Sequence, residues 1–297
     1  MIIEIENLSK VYPNGNHALK EINLKFGRGM FGLLGPNGAG KSTLMKIMVT
    51  LLKPSSGRIL IDGKDIQYHR KLLRGILGYL PQDFRFFSSL KTWEFLDYSG
   101  SLTGMKNRKK RMSEVDRLLD QVGLFEVRDR QANKLSGGMK RRLGIAQALI
   151  GNPSVIVVDE PTTGLDPDER IRFRNILSQL SQNNVTIILS THIVGDISST
   201  CQSMALLNKG ELVFSGPPEN LIKKAEGHVF NLSLSPVEYE KAKDQYDIIS
   251  TIPTENGWDV QIVSDKTPVY ESLAITPGIE HAYVYYMEHR LQTHLSE

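Results

Sequence analysis

The stretch of sequence that decides the fold follows the apolar residues 30–34 and reads Gly35-Pro36-Asn37-Gly38-Ala39-Gly40-Lys41-Ser42. It matches the pattern G-x-x-x-x-G-K-[ST] and stands between a predicted strand and an apolar period of helical spacing. Glycines let backbone N–H groups curl around phosphate oxygens, and a helix N-terminus adds a positive dipole. The stretch therefore predicts a phosphate-binding loop, in which Lys41 contacts the β and γ phosphates and Ser42 offers its hydroxyl to Mg²⁺.

Two adjacent carboxylates end a second buried strand. Residues 155–158 are apolar and β-branched, and Asp159 and Glu160 follow them directly. In open α/β sheets, ligands bind at the carboxyl ends of the strands. We expect Asp159 to hold Mg²⁺ through water and Glu160 to polarise the attacking water as a general base.

The overall composition is that of an ordinary globular protein. The 297 residues are 40% hydrophobic and 23% charged, so a core of normal size needs no disulfide or metal. The length fits one large domain with a small one, or two of medium size. A formal net charge of +3 does not favour a nucleic acid partner. The single cysteine, Cys201, cannot form an internal disulfide, which favours a reducing cytosol.

The sequence carries no signal for insertion into a membrane. The N-terminus turns polar at Glu4, so no signal peptide is predicted. No apolar run approaches the ~18 residues of a spanning helix, and the longest runs, such as residues 155–158 and 185–189, have the length of strands. We expect the chain not to cross a membrane by itself, although it could dock beneath one.

Strands and helices alternate through most of the chain. Helices are predicted over residues 92–131, 138–150 and 167–180, and residues 185–189 form another continuous apolar strand. Such strands separated by helices predict a parallel sheet covered on both faces.

Beyond about Gly227 the pattern changes to α+β. The predicted elements are strand 228–234, helix 236–244, strand 248–252, strand 258–263, helix 267–274 and strand 279–286. This βαββαβ order predicts a ferredoxin-like fold for the C-terminal region.

A third motif, Leu135-Ser136-Gly137-Gly138-Met139, precedes a predicted helix. Ser136 is a natural helix cap, so the motif forms a second helix start able to bind an anion. The motif resembles the signature of the ABC ATPases, which separates them from other phosphate-loop NTPases.

Further residues resemble the family pattern in order along the chain. Tyr12 stands where the family stacks an aromatic ring on adenine, and Gln82 resembles the glutamine that touches Mg²⁺ and the attacking water. Thr163-Gly164-Leu165-Asp166 resembles the loop that crosses between subunits. His192 resembles the switch histidine that contacts the γ-phosphate. The departures are small: Met139 and Gly164 stand where many members have Gln and Ala.

The resemblance implies a set of functional residues. Those that bind ATP are Tyr12, Gly35, Pro36, Asn37, Gly38, Ala39, Gly40, Lys41, Ser42, Thr43, Ser136, Gly137, Gly138 and Asp166. The catalytic residues are Glu160, His192 and Gln82. The residues that bind Mg²⁺ are Ser42, Gln82 and Asp159.

The resemblance also implies the fold class and the domain limits. We expect an α/β phosphate-loop NTPase, the ABC ATPase domain, with a mixed sheet core over residues 1–225. A helical subdomain covers about residues 84–150, and residues 226–297 form a small C-terminal α+β accessory domain.

Two kinds of partner follow from the resemblance. A second copy of the chain, or a close relative, forms a head-to-tail dimer in which each ATP lies between Lys41 of one chain and Ser136 of the other. A separately encoded transmembrane permease docks from the cytoplasmic side of the cell membrane. We expect it to contact residues 84–96, where Phe86, Phe87 and Trp93 supply aromatic surface.

There are three interpretations of the direction of transport and the class of function. In the first, the amino-acid sequence of residues 31–36 and 79–82 resembles the branch of the family that powers separate export permeases. An importer subunit, whose C-terminal domain binds substrate and inhibits, is the second interpretation. A soluble ABC ATPase that acts on ribosomes or DNA is the third, and the near-neutral charge and single ATPase domain speak against it.

Overall fold

The computed structural model describes residues 1–84, 86, 89–182 and 184–290. The chain divides into two compact units, one of residues 1–196 and 200–215, the other of residues 197–199 and those from 216 onward. The assignment of residues 1–225 to an ATPase domain and of residues 226–297 to an accessory domain stays a prediction.

The strands are β1 (Ile3–Val11), β2 (His17–Phe26), β3 (Met30–Leu34), β4 (Ser56–Ile61), β5 (Lys64–Asp65), β6 (Leu77–Leu80), β7 (Val155–Asp159), β8 (Thr186–Thr191), β9 (Ser203–Asn208), β10 (Glu211–Gly216), β11 (Val229–Leu234), β12 (Asp247–Thr254), β13 (Gly257–Val263) and β14 (Ser272–Ala274). The helices are α1 (Lys41–Met48), α2 (Arg70–Arg74), α3 (Thr92–Leu102), α4 (Arg108–Gln121), α5 (Gly137–Leu149), α6 (Pro167–Gln182), α7 (Val194–Ser198), α8 (Pro218–Lys223), α9 (Pro236–Ala242) and α10 (Ile279–Tyr285).

Two sheets build the first unit. One is antiparallel, with the order β2-β1-β4-β5. The other has the order β10-β9-β3-β8-β7-β6, and β3, β6, β7, β8 and β9 pair in parallel. Every residue of β3, β7 and β8 is buried, because helices and the second sheet cover both faces of the parallel sheet. The predicted α/β fold is confirmed.

The main core lies where α1 packs between the two sheets. Leu44 and Ile47 of α1 join Leu8 from the antiparallel sheet and Leu33 and Val157 from the parallel sheet in one buried cluster. The spacing of three residues between Leu44 and Ile47 puts both on one face of the helix. This packing fixes the start of α1, and with it the phosphate loop, against the carboxyl ends of β3 and β7.

The helices predicted over residues 92–131 are present as α3 and α4, and α5 begins within the third motif, at Gly137. Contacts between α3, α4 and α5 hold this helical part together. Among the described residues, none of the helices combines the length and the apolar character needed to cross a membrane.

The second unit confirms the first four elements of the predicted C-terminal pattern and corrects the last two, so the predicted ferredoxin-like βαββαβ order was wrong. Its sheet has the order β12-β13-β11-β14 with antiparallel pairs, so the fourth strand lies beside the first. The prediction of a helix over residues 267–274 was wrong: Ser272–Ala274 is a strand, because Ser272 and Ala274 pair with β11. The prediction of a strand over residues 279–286 was also wrong, since α10 occupies this stretch.

Candidate active site

The glycine-rich turn forms a tight loop between β3 and α1. Gly40, with φ +106°, stands before the first residue of α1, and a Cβ there would lie 2.5 Å from the carbonyl oxygen of Ala18. A Cβ on Gly35 would lie 2.3 Å from the carbonyl oxygen of Leu207. Glycine is required at both positions, because neighbouring backbone leaves no room for a side chain.

Lys41 begins α1 and points into this loop. Its Nζ donates hydrogen bonds to the carbonyl oxygens of Gly35 at 2.8 Å and Pro36 at 3.2 Å. The same Nζ lies 3.2 Å from Glu160 Oε1, and the lysine side chain is 4% exposed. The ammonium charge is therefore held where the loop meets the carboxyl end of β7.

Asp159, the last residue of β7, faces Ser42 and the next strand. Its Oδ1 accepts hydrogen bonds from Ser42 Oγ at 3.2 Å and from Ser190 Oγ at 2.6 Å. Asp159 and Ser190 are register partners in the parallel pair of β7 and β8, so their side chains meet at the carboxyl ends. Carboxylate and hydroxyl oxygens are the ligands that Mg²⁺ prefers, so Ser42 and Asp159 fit this ion.

Glu160 is the centre of the polar cluster. Its Oε2 lies 3.2 Å from His192 Nδ1, and it accepts from Gln82 Nε2 at 3.5 Å and from Thr163 Oγ1 at 3.4 Å. Its Oε1 faces Lys41. The backbone of Glu160 is in the left-handed region, with φ 45°, which is strained for a residue with a side chain. The two neighbouring carboxylates have different partners: that of Asp159 contacts Ser42 and Ser190, and that of Glu160 lies in this cluster.

An open cleft of about 960 Å³ joins these groups, a volume suited to a nucleotide-sized ligand. Tyr12 stands at one side, and its hydroxyl lies 3.3 Å from Thr43 Oγ1. The residues that line the cleft are Tyr12, Gly15, Asn16, His17, Ala18, Lys20, Asn37, Gly38, Ala39, Gly40, Lys41, Ser42, Thr43, Gln82, Glu160, Thr163, His192 and Lys209. The structure thus brings the predicted phosphate loop, Tyr12, Gln82, Glu160 and His192 to one place.

The third motif lies outside the cleft, and the predicted crossing loop is divided: Thr163 lines the cleft, whereas Asp166 does not. Ser136 caps α5 as predicted, accepting from the N–H of Met139 at 3.2 Å, and is exposed together with Gly137. Asp166 accepts from the N–H of Glu169 at 2.8 Å and so caps the start of α6. Neither Ser136 nor Asp166 is among the residues that line the cleft.

Arg141 is a residue of this region that the sequence did not reveal. Its Nη1 donates to the carbonyl oxygens of Gln82 at 2.6 Å and Pro81 at 3.3 Å, so α5 is tied to the segment that carries Gln82. Burial lowers the pKa of Arg141, and the charges of Asp83 and Asp159 act in the opposite direction. Burial also raises the pKa of Tyr79 to about 12, with the charge of Asp159 adding to the shift.

A glycine-rich loop between a strand and a helix, with its lysine beside a strand-end carboxylate, is the arrangement of the phosphate-loop NTPases. The sequence profile of the ABC transporter family matches residues 19–163. An uncharacterized ABC transporter ATP-binding protein from Synechocystis is 38% identical, over 76% of this chain and 66% of that protein. A methionine import ATP-binding protein from Yersinia pestis is 37% identical, over 74% of this chain and 70% of that protein.

Solved structures show the same fold. The dimeric ATP-binding cassette MJ0796, in a post-hydrolysis state bound to ADP and phosphate, superposes with a TM-score of 0.66 and 26% identity. The match covers 72% of this chain and 98% of that cassette. The chain belongs to the ABC transporter ATP-binding proteins, and it is an ATPase that binds nucleotide.

Proposed function

We propose that the cleft hydrolyses ATP with Glu160 as the general base. The observation that supports this most directly is the meeting of Lys41, His192 and Gln82 within 3.5 Å of one carboxylate. A carboxylate so placed can accept the proton of a water molecule as the water oxygen attacks the γ-phosphorus. The bond from the γ-phosphorus to the β–γ bridging oxygen then breaks, and ADP and phosphate leave.

The other residues of the cleft position the nucleotide. Lys41 and His192 place positive or hydrogen-bonding groups where negative charge gathers on the transferred phosphate. Gln82 orients the attacking water, and the loop of residues 35–43 binds the phosphates through its backbone N–H groups. Tyr12 stacks on the adenine ring. Most of the rate enhancement is expected from this positioning, because phosphoryl transfer needs little covalent help from the protein.

Mg²⁺ is the expected metal. Ser42, Asp159 and Gln82 offer it a hydroxyl, a carboxylate and an amide oxygen. When bound, the ion neutralises negative charge on the β and γ phosphates.

A second copy of the chain, or a close relative, is proposed to complete each site. The start of α5 is capped by Ser136 and exposed, which suits an anion, yet it does not line the cleft of its own chain. A head-to-tail dimer would place Ser136, Gly137 and Gly138 of one copy against the nucleotide held by Lys41 of the other. Asp166 would approach the same interface.

A groove next to Gln82 is the proposed docking site for a membrane permease. It has a volume of about 450 Å³ and is lined by Leu77, Gly78, Tyr79, Pro81, Phe84, Ser99, Leu102, Thr103, Gln147, Ala148 and Ile150. Leu102 is 71% exposed on its wall. Because Pro81 precedes Gln82 directly, an apolar segment seated in the groove would press on the chain that carries Gln82.

Within the predicted contact segment, residues 84–96, Phe84 lines this groove. Phe86 packs edge-on against Phe84 and Phe95, with ring centroids 4.6 and 5.3 Å away, so it supports the wall of the groove. Trp93 is half-buried, and Phe87 lies outside the described residues. The chain would then sit on the cytoplasmic face of the membrane as a peripheral subunit.

Two directions of transport are proposed. Export is the first candidate, because the amino-acid sequence of residues 31–36 and 79–82 resembles that of the export branch. Import is the second candidate, because the chain is 37% identical to a methionine import ATP-binding protein. A small-molecule ligand bound by the second unit would favour the importer, whereas its absence with an export permease in the complex would favour the exporter.

The decisive test is to tag the chain, solubilise its native membranes in mild detergent, and identify what co-purifies by mass spectrometry. A stoichiometric multi-span membrane protein is the expected result, and its identity would indicate substrate and direction. Recovery with ribosomes, with DNA, or with no membrane protein would overturn the transport function and leave the ATPase assignment standing.

A further inference from the structure

Lys209 occupies a backbone conformation that disfavours lysine. It is the first residue of the two-residue turn between β9 and β10, with φ 46°, and Gly210 follows with φ 84°. Turns with positive φ at both central residues favour Asn-Gly, because most side chains clash with the backbone in the left-handed region. A residue kept in such a conformation points to a role for its side chain.

The turn is fixed against the phosphate loop. The N–H of Gly210 donates to the carbonyl oxygen of Ala39 at 3.1 Å, and its carbonyl oxygen accepts from the N–H of Lys20 at 2.8 Å. A Cβ at Gly210 would lie 3.0 Å from the carbonyl oxygen of Ala18, so the segments are closely packed. Lys209 is therefore held at a constant place relative to the loop that binds phosphate.

The charge of Lys209 is available to a ligand. Lys41, Lys20 and Lys209 all line the cleft. Lys41 pairs with Glu160 at 3.2 Å, and Lys20 pairs with Glu211 at 2.8 Å. Within the described ranges, no carboxylate lies within ion-pair distance of the exposed Lys209 ammonium.

We propose that Lys209 binds the polyphosphate of the nucleotide as a second cation, in addition to Lys41. The inference rests on the proposed nucleotide site. Phosphate is the indicated chemistry, because an ammonium on a flexible four-carbon stem is a strong partner for phosphate oxygens, and Gly210 ties the turn to Ala39 of the phosphate loop. The strained turn places this charge at the cleft.

The proposal predicts opposite effects of one substitution on stability and on binding. Lys209→Asn supplies the residue that the turn favours, so the melting temperature of the full chain without nucleotide should rise by roughly 1–3 °C. The same variant should weaken binding of a non-hydrolysable ATP analogue about three- to tenfold, measured by isothermal titration calorimetry. If the side chain had only a structural role, the substitution would not raise the melting temperature and weaken nucleotide binding at the same time.

Controls locate the lost contact. Lys209→Arg keeps the cation and should bind within about twofold of wild type, as should Lys25→Asn, which removes an exposed lysine paired with Glu4 outside the cleft. In Lys209→Asn the affinity for ADP should fall by most of the same factor, and the affinity for adenosine should not change. Wild-type affinity for the analogue in Lys209→Asn, or an equal loss for adenosine, would overturn the proposal. Failure of the wild-type chain to bind the analogue would instead contradict the nucleotide site itself.

Discussion

Glu169 lies directly against Gly138: a Cβ on Gly138 would come within 2.4 Å of Glu169 Oε2, an oxygen that lies 3.2 Å from Arg142 Nε. The Arg142 side chain is 2% exposed and also donates to two backbone carbonyls at the end of α4. The N–H of Glu169 donates to Asp166. Glu169 thus links the loop before α6 to α5, the helix that Ser136 caps.

Gly138→Ala is expected to destabilise the chain by about 1–3 kcal/mol, because the new methyl group displaces Glu169 from a buried arginine. Gly137→Ala is the matched control: a Cβ there meets no atom within 4 Å, so its free energy of unfolding should stay within about 0.5 kcal/mol of wild type. Urea denaturation of both variants gives the comparison. If the two variants were equally stable, Glu169 would be able to move aside at little cost in free energy.

Glu160→Gln should retain nucleotide binding and lose most turnover. The amide keeps the shape of the side chain but cannot take the proton of the attacking water, so kcat should fall about 10²-fold or more. Phosphate release at saturating ATP, together with titration of a non-hydrolysable analogue, separates the two effects. Glu4→Gln, at a carboxylate paired with Lys25 outside the cleft, is the control and should keep wild-type kcat. Turnover near wild type in Glu160→Gln would refute its assignment as the base.

Lys41→Ala should abolish tight nucleotide binding, because the loop loses the cation proposed to contact the β and γ phosphates. The control is Lys46→Ala, an exposed lysine on the same helix, which should bind like wild type. Titration with ATP in the presence of EDTA, which prevents turnover, measures both. Unchanged affinity in Lys41→Ala would remove the phosphate-loop interpretation.

The convergence of the site could be predicted from the sequence because the parallel sheet enforces it. Motifs that follow β3, β7 and β8 must meet at one edge, and Lys41, Asp159, Glu160 and His192 do so. Lys209 could not be found in this way, since a distant hairpin brings it to the cleft and its local sequence carries no motif. Such contacts depend on packing between segments far apart in the chain.

The C-terminal errors have a physical cause. Residues 279–286 are rich in β-branched and aromatic side chains, which suggested a strand, but Ile279, Ala282 and Tyr285 are buried at a spacing of three and form the inner face of a helix. Residues 267–274 lack such a face: Val269 and Leu273 are 81% and 69% exposed. Ser272–Ala274 forms a strand because it pairs with β11, and the local sequence does not encode this pairing.

Cys201 should be unreactive in the native chain. Burial raises the pKa of its thiol to about 12, so at pH 8 only about one thiol in 10⁴ is ionised and able to react. A disulfide reagent at pH 8 should therefore label the native protein slowly and label one thiol per chain in denaturant. Because the unfolded thiol ionises near pH 8.5, the buried thiol should also favour the folded state at lower pH and cost stability as the pH rises beyond that value. Rapid labelling of the native chain would contradict the burial of this side chain.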